Sequence, residues 1–161
     1  MAYDPFINEE LIQQTNIRYC NLEELCQSAD VISVHCPLNV DSKYMFNKSI
    51  FSQMKKGVVF INTARGMIVN TEDLIEAINK GNIGAVGLDV YEKERPIFFK
   101  NHISEKINDP MYTILRSLPN VLITGHQGFL SKEALQGIAN TTLANLNAWA
   151  YNSICENELE K

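Results

Sequence analysis

Three short segments of this 161-residue chain carry side chains whose types suit the reduction of a keto acid. They are Ile-Asn-Thr-Ala-Arg-Gly at 61–66, Gly-Leu-Asp-Val-Tyr-Glu-Lys-Glu at 87–94, and Thr-Gly-His-Gln-Gly-Phe at 124–129. Each segment ends or follows a β-branched apolar run, the place from which an open α/β sheet delivers functional side chains. Together they offer an arginine, a carboxylate and a histidine.

Arg65 follows the apolar run 58–61 and stands beside Gly66. A guanidinium at a strand end can hold a carboxylate through two parallel hydrogen bonds, which would fix a 2-keto acid in one orientation. The alternative is a surface arginine in an exposed turn. Taken alone, the residue does not separate these two interpretations.

Two candidate carboxylates, Asp89 and Glu94, follow the buried-looking run 85–88. An isolated acidic residue at a strand end is more often a helix cap or a solvated loop residue. Glu92 is a competing candidate that spacing alone does not exclude.

His126 follows the apolar run 121–124 and is flanked by Gly125 and Gly128, which would allow a ligand to approach closely. A lone histidine is more often structural than catalytic. A paired carboxylate, however, would make this histidine a proton donor near neutral pH.

Three further candidates lie elsewhere in the chain. His35 ends an apolar strand and is interpreted as a cofactor-side loop residue, whereas His102 lies in a polar stretch and is predicted to be solvated. Asp4 follows what looks like the end of a strand, where a carboxylate can bind the ribose hydroxyls of NAD. The alternative for Asp4 is a turn aspartate before Pro5.

Short β-rich runs alternate with helical patterns, which predicts crossover units and a mainly parallel sheet. The predicted strands are 17–20, 31–35, 58–61, 85–90 and 121–124. The predicted helices lie around 22–29, 47–56, 71–80, 111–117 and 131–150. Residues 95–120 break this rhythm and form an insertion longer than a usual connection.

The residues that mark the two ends of a helix are clearest around the helix predicted at 71–80. Asn70 is a good N-cap, Asp73 is its partner in a variant of the capping box, and Gly81 can take the left-handed conformation that ends a helix. The helix at 131–150 carries one apolar side, which predicts packing in the core or against another domain. Its members are Leu135, Ile138, Ala139, Thr142, Leu146 and Trp149.

The composition excludes several classes of partner. The net charge is −5, and no basic cluster exceeds the Lys55-Lys56 pair, which disfavours nucleic acid and anionic membranes. No apolar run approaches the roughly 20 residues of a membrane span. The four cysteines are scattered, so we expect a reduced, cytoplasmic protein without a metal site, and Cys26 and Cys36 as small core residues.

Taken together, the three segments resemble the D-isomer-specific 2-hydroxyacid dehydrogenase family, over essentially the whole chain. Within this family the fermentative D-lactate dehydrogenases are the most similar group. The resemblance is carried by Asp-Val-Tyr-Glu-x-Glu at 89–94, by the long insertion after it, and by Thr-Gly-His-Gln-x-Phe-Leu-Ser at 124–131. These motifs are specific in combination.

The resemblance implies a role for each catalytic candidate. Arg65 would bind the substrate carboxylate and polarise the keto oxygen. His126 would give a proton to that oxygen while NADH delivers a hydride to the carbon. Glu94 would hydrogen-bond His126 and favour its protonated form. Gly128 stands where the resemblance leads us to expect alanine.

The resemblance also implies an NAD site. Asp89 would contact the nicotinamide carboxamide, and Asp4 would bind the adenosine ribose and repel the 2′-phosphate of NADP. The cofactor cleft would be lined, together with Arg65 and His126, by His35, Cys36, Pro37, Thr63 and Ala64.

The front of the chain departs from the family pattern, which places a Gly-x-Gly-x-x-Gly loop about 20 residues before the ribose-binding acid. Only three residues precede Asp4. We therefore expect an α/β fold with an incomplete Rossmann-like, doubly wound parallel sheet that lacks its first strand and Gly-rich loop. Residues 1–130 would be the C-terminal part of the NAD-binding domain, and 131–161 a helix and tail that pack toward the substrate domain.

These expectations predict a fragment of an NAD-dependent oxidoreductase acting on the CH-OH group of D-2-hydroxy acids. D-lactate and pyruvate are the first choice of substrate, and glycerate and branched 2-hydroxy acids stay open because they use the same arginine, glutamate and histidine. The isolated chain would bind NADH poorly and turn over little, and the full-length protein would be a homo-oligomer. Two alternatives stay open at this point. One is an NAD-sensing, corepressor-like binding protein, and the other is an inactive truncated gene product.

Overall fold

A computed structural model describes residues 1–104, 106–155 and 157–158. Parts of the predicted insertion and of the predicted C-terminal tail, residues 105, 156 and 159–161, lie outside the described residues. The chain divides into two compact units, Met1–His126 and Gln127–Lys161.

The first unit is built on a four-stranded sheet whose strands are all parallel and run in chain order. The strands are β1 (Val31–Val34), β2 (Val58–Asn62), β3 (Ile83–Leu88) and β4 (Val121–Ile123). This arrangement confirms four of the five predicted strands and the parallel α/β architecture. Because the strands are parallel, the loops that follow them emerge at the same edge of the sheet.

The strand predicted at 17–20 is wrong. Tyr19 forms only an isolated parallel bridge with Ala2, through hydrogen bonds of 2.9 Å from Ala2 N to Arg18 O and 3.0 Å from Cys20 N to Ala2 O. A β-rich composition makes a strand only where a neighbouring strand extends the ladder, since strand propensity depends on context. Here the pairing extends no further than Ala2.

Helices with polar N-caps connect the strands. In most of these helices an asparagine or aspartate side chain at the N-cap accepts a backbone N–H of the first turn, which satisfies donors that the helix itself leaves free. The helices of this unit are α1 (Glu9–Thr15), α2 (Leu22–Ser28), α3 (Lys48–Gln53), α4 (Thr71–Asn79), α5 (Arg95–Phe98) and α6 (Pro110–Ser117). Neither α1 nor α5 was among the predicted helices.

The caps of α4 agree with the prediction in part. The Asn70 side chain accepts the N–H of Asp73 at 3.1 Å, and Gly81 follows the helix at a left-handed φ of 73°. The reciprocal contact of a capping box is absent between these two residues. The Asn70 N–H donates instead to Phe46 O at 2.9 Å, and the Asp73 carboxylate accepts the N–H of Lys48 at 2.9 Å. Asp73 therefore joins α4 to the start of α3.

An aromatic cluster lies at the centre of the core. Phe60 on β2 is fully buried and packs edge-on against Phe46 and Phe51, with ring centroids 4.9 and 5.6 Å apart. Cys26 is also fully buried, as predicted, and burial followed by the nearby Cys20 raises the pKa of its thiol to about 11. Cys26 is therefore a small core residue that stays protonated.

The second unit is dominated by one long helix, α7 (Lys132–Ala150), which the Ser131 hydroxyl caps. The prediction that its apolar side packs in a core of this chain is wrong, because no residue of α7 is buried and Trp149 is 82% exposed. Packing toward a substrate domain stays a prediction. Within the residues that the structure describes, no helix combines the length and apolarity needed to cross a bilayer.

Candidate active site

Arg65 is positioned by a turn that a buried amide holds at the end of β2. The side chain of Asn62, 1% exposed, accepts the N–H of Ala64 at 3.0 Å and donates to the carbonyl of Arg65 at 3.0 Å. Arg65 is exposed, and its Nη1 donates to the Ala64 carbonyl at 2.7 Å. We did not single out Asn62 from the sequence, although an amide that ends an apolar run was the available signal.

Replacing Asn62 with alanine should lower the free energy of unfolding by about 2–4 kcal/mol, because two hydrogen bonds are lost and two backbone groups lose their partners. Asn101→Ala is the matched control, since this exposed amide accepts one local bond, from Ile103 N at 2.9 Å. Urea unfolding followed by circular dichroism measures both. Equal losses in the two variants would contradict a structural role for Asn62.

A histidine and a carboxylate meet where the loops after β3 and β4 approach each other. Nδ1 of His126 lies 2.9 Å from Oε1 of Glu94, and Oε2 of Glu94 accepts the N–H of Tyr91 at 3.0 Å. The side chains of His126 and Glu94 are 32% and 19% exposed, so the pair is partly shielded from water. Glu92, the competing candidate, instead accepts the hydroxyl of Tyr44 at 2.6 Å.

The backbone of His126 adopts a left-handed conformation, with φ of 56°. Its N–H donates to the Asp89 carbonyl at 2.7 Å, and the Thr124 hydroxyl donates to the Asp89 carboxylate. A left-handed residue other than glycine costs about 1–2 kcal/mol, and such strain clusters at functional sites. Asp89 thus anchors the segment that presents His126.

A cleft of about 670 Å³ opens between the loops that follow β1 and β2. It brings together most of the residues predicted to line a cofactor site, and adds the apolar side chain of Leu38. The lining residues are His35, Cys36, Pro37, Leu38, Thr63, Ala64 and Arg65. Asp4, Asp89 and His126, the other predicted cofactor residues, are not among them.

Asp4 takes the turn geometry that was the alternative to ribose binding. Its exposed carboxylate accepts the N–H of Phe6 at 2.8 Å, across Pro5. Burial, and to a smaller extent the charge of Asp4, raise the pKa of the half-buried Cys36 thiol. Cys36 packs against the core, in line with the prediction, and also lines the cleft.

The prediction that His102 is solvated is wrong. Its ring is half-buried, and Nε2 lies 3.0 Å from the Pro96 carbonyl and 3.1 Å from the Ile97 carbonyl. In the described part of the chain, Nδ1 of this ring is buried without a hydrogen-bond partner. The first part of the insertion forms α5, and the last carbonyls of a helix lack partners within the helix. The His102 ring supplies an N–H donor to these carbonyls.

Comparison with known proteins agrees with the fold and the motifs. The model of the D-isomer specific 2-hydroxyacid dehydrogenase NAD-binding domain matches residues 1–128. The D-lactate dehydrogenase of Escherichia coli (strain K12) is 40% identical over 159 residues, which are 99% of this chain and 48% of that relative. The chain spans about half the length of the curated relatives it matches.

Two solved structures show the same architecture. A D-lactate dehydrogenase from Sporolactobacillus sp. superposes with a TM-score of 0.92 at 32% identity, covering 100% of this chain and 48% of its own. The D-lactate dehydrogenase from Lactobacillus jensenii, solved with NAD⁺, superposes with a TM-score of 0.87 at 31% identity. The match covers 99% of this chain and 47% of that one. The four parallel strands thus match the Rossmann-like sheet of an NAD-binding domain, and the chain belongs to the D-isomer-specific 2-hydroxyacid dehydrogenase family.

Proposed function

We propose that this chain supplies the NAD-binding half and the acid–base pair of a dehydrogenase that interconverts D-2-hydroxy acids and 2-keto acids, with D-lactate and pyruvate as the preferred pair. The observation that carries this proposal is the contact of 2.9 Å between His126 Nδ1 and Glu94 Oε1 at the carboxyl edge of the sheet. Relatives named D-lactate dehydrogenase support the choice of substrate.

The residues present fit part of an NAD molecule. The cleft of about 670 Å³ has the size of a small-molecule site, and its small side chains at strand ends leave backbone groups accessible. We assign the residues that line this cleft to the cofactor. Asp89 would contact the nicotinamide carboxamide, and Asp4 would bind the adenosine ribose. The negative charge of Asp4 would disfavour NADP, which carries a 2′-phosphate on that ribose. When bound, NADH supplies the hydride. The lining residues assigned to NAD are His35, Cys36, Pro37, Thr63, Ala64 and Arg65.

Arg65 binds and orients the substrate in this proposal. Its planar guanidinium can donate two parallel hydrogen bonds to the carboxylate of a 2-keto acid, which places the neighbouring keto group in a fixed plane. The bond from Nη1 to the Ala64 carbonyl, 2.7 Å long, and the Asn62 turn limit the motion of the guanidinium. Orientation of this kind lowers the entropy cost of reaching the transition state.

His126 transfers the proton. With Nδ1–H donated to the Glu94 carboxylate, Nε2 is the ring nitrogen that gives a proton to the keto oxygen during reduction and takes it from the hydroxyl during oxidation. The hydrogen bond to the Glu94 carboxylate sets the orientation of the His126 ring. The bond from Tyr91 N–H to Glu94 Oε2, 3.0 Å long, holds the carboxylate in place.

Location and assembly are further proposals. The cysteines of the described chain are free, which supports a reducing compartment such as the cytoplasm. The acidic net charge of −5 supports small molecules, not nucleic acid, as partners. A homo-oligomer of the longer protein stays a prediction.

The proposed activity is tested in a chimera in which this chain replaces the matching C-terminal half of the Escherichia coli D-lactate dehydrogenase. Circular dichroism and NADH fluorescence first establish folding and cofactor binding. We expect pyruvate-dependent NADH oxidation at about 1 per second or faster. A folded chimera that binds NADH but reduces neither pyruvate nor other 2-keto acids would overturn the proposal.

The 161-residue chain by itself should turn over far more slowly than 1 per second with pyruvate and NADH. It contains no Gly-x-Gly-x-x-Gly loop to seat the pyrophosphate on a helix N-terminus, and among the described residues β1 pairs on one side only, with β2. Stopped-flow absorbance at 340 nm measures the rate. The chimera serves as the positive control, and equal rates for the two proteins would contradict this prediction.

A further inference from the structure

Tyr44 is a residue outside the proposed catalytic set whose polar groups join separate loops. Its hydroxyl donates to Glu92 Oε1 at 2.6 Å, 48 positions away in sequence. Its N–H donates to the Met67 carbonyl at 2.9 Å, and its carbonyl accepts the Asn47 side chain at 3.1 Å. The backbone holds these contacts in a left-handed conformation, with φ of 53°.

The contacts of Tyr44 connect the loop after β1 to the loop after β2. Phe46 and Val69 form a parallel bridge, and Phe46 N–H donates to the Ile68 carbonyl at 3.1 Å. Ile68 and Val69 lie shortly after Arg65 in the chain. The Tyr44 segment is therefore paired with the backbone that begins at the substrate-binding arginine.

The hydroxyl of Tyr44 connects these two loops to the loop after β3, because it donates to Glu92. Glu92 lies two positions before Glu94, in the turn that the bond from Tyr91 N–H to Glu94 Oε2 closes. Gly66 packs directly on this turn, since an added Cβ would lie 2.1 Å from the Tyr91 carbonyl carbon. Tyr44 and Gly66 thus both contact the turn.

We propose that Tyr44 is a positioning residue, whose hydrogen bond to Glu92 holds the 91–94 turn so that Glu94 keeps its contact with His126 at a set distance from Arg65. This inference rests on the proposed function. It assigns Glu92 a role distinct from that of Glu94, namely as the anchor of the turn.

The charge distribution around Tyr44 agrees with this role. The hydrogen bond to Glu92, then burial and the charge of Glu92, raise the pKa of the Tyr44 phenol. The phenol therefore stays protonated, and able to donate, throughout the pH range in which a histidine exchanges protons.

The test is Tyr44→Phe in the active chimera, because this change removes one oxygen and leaves the ring. We expect kcat for pyruvate to fall about tenfold while KM for NADH changes less than twofold, since only the geometry of proton transfer is disturbed. Tyr19→Phe is the matched control, because its hydroxyl accepts a long hydrogen bond, 3.4 Å, from the exposed Asn8 N–H. We expect unchanged kcat in this variant.

Substitutions of Glu92 separate positioning from a general loss of packing. Glu92→Gln keeps an acceptor for the Tyr44 hydroxyl and should lower kcat less than Glu92→Ala, and Tyr44→Phe should add little to Glu92→Ala. Additive losses, or an unchanged kcat in Tyr44→Phe, would overturn the inference and leave the proposed function intact. A chimera that binds NADH and is inactive before any substitution would overturn both.

A second readout requires no enzymatic activity. In the 161-residue chain, titration of the tyrosines by ultraviolet absorbance should show one phenol that ionises at lower pH in Glu92→Ala than in the unsubstituted chain. That component should be missing in Tyr44→Phe. Identical titration curves for the unsubstituted chain and Glu92→Ala would show that the hydrogen bond does not form, and would overturn the inference.

Discussion

Replacing His126 with asparagine is expected to lower kcat for 2-keto acid reduction by about 10²- to 10⁴-fold, the range that a positioned general acid contributes. Asparagine cannot supply a proton to the keto oxygen. It is chosen because it tolerates the left-handed backbone, at φ of 56°, better than other residues that could replace histidine. The asparagine amide can also donate to Glu94 in place of Nδ1, so the free energy of unfolding should change by less than about 1 kcal/mol, which separates lost chemistry from lost structure.

The measurement is steady-state kinetics of the chimera with pyruvate and NADH, beside NADH binding and urea unfolding. His102→Asn is the control for the same substitution at a histidine outside the site. It should keep kcat within about twofold even though it removes the contacts to the Pro96 and Ile97 carbonyls. A His126→Asn enzyme that retains more than a tenth of kcat would exclude His126 as the proton donor.

Replacing Gly66 with alanine is expected to lower the free energy of unfolding by more than about 3 kcal/mol, or to abolish cooperative unfolding, because overpacking against backbone is not easily relieved. The added Cβ would lie 2.1 and 2.2 Å from the Tyr91 carbonyl carbon and oxygen and 2.5 Å from Glu92 N. These atoms belong to the turn that carries Glu94. The turn would have to move away from the Arg65 loop, so activity should fall with stability.

Gly87→Ala, in β3, is the matched control for this substitution. Its Cβ would meet only side-chain atoms of Ile61, at 3.8 and 3.9 Å, which is ordinary van der Waals contact. We expect a change in the free energy of unfolding within about 1 kcal/mol. Urea unfolding followed by circular dichroism compares the two variants. Similar free energies of unfolding for both would contradict the prediction, because they would show that the 91–94 turn moves away from the added methyl group without loss of stability.

The parallel sheet and the family were predictable from the sequence because both depend on local patterns. Apolar runs at 31–35, 58–61 and 121–124 predicted three strands within one or two residues of their observed ends. The helix α4 was predictable because its cap, its apolar face and its terminal glycine all lie within a dozen residues of one another. Signals of this kind favour a helix or a strand through residues that are close in sequence, and they need no contact with distant parts of the chain.

Residues far apart in sequence decided what the local patterns left open. Spacing could not choose between Glu92 and Glu94, and the choice follows from Tyr44 and His126, which lie 48 and 32 positions away from their partners. His102 was misjudged because the carbonyls that its ring contacts belong to a helix absent from the local pattern.

The strand at 17–20 failed for the same reason as the other errors. Its apolar pattern satisfied the local requirement, but a strand forms only when a second strand supplies hydrogen-bond partners along its length, and Ala2 alone does so here. Residue types and their order therefore predicted which chemistry this protein carries. Which side chains perform it together depended on long-range packing, because hydrogen bonds and burial act between neighbours in space.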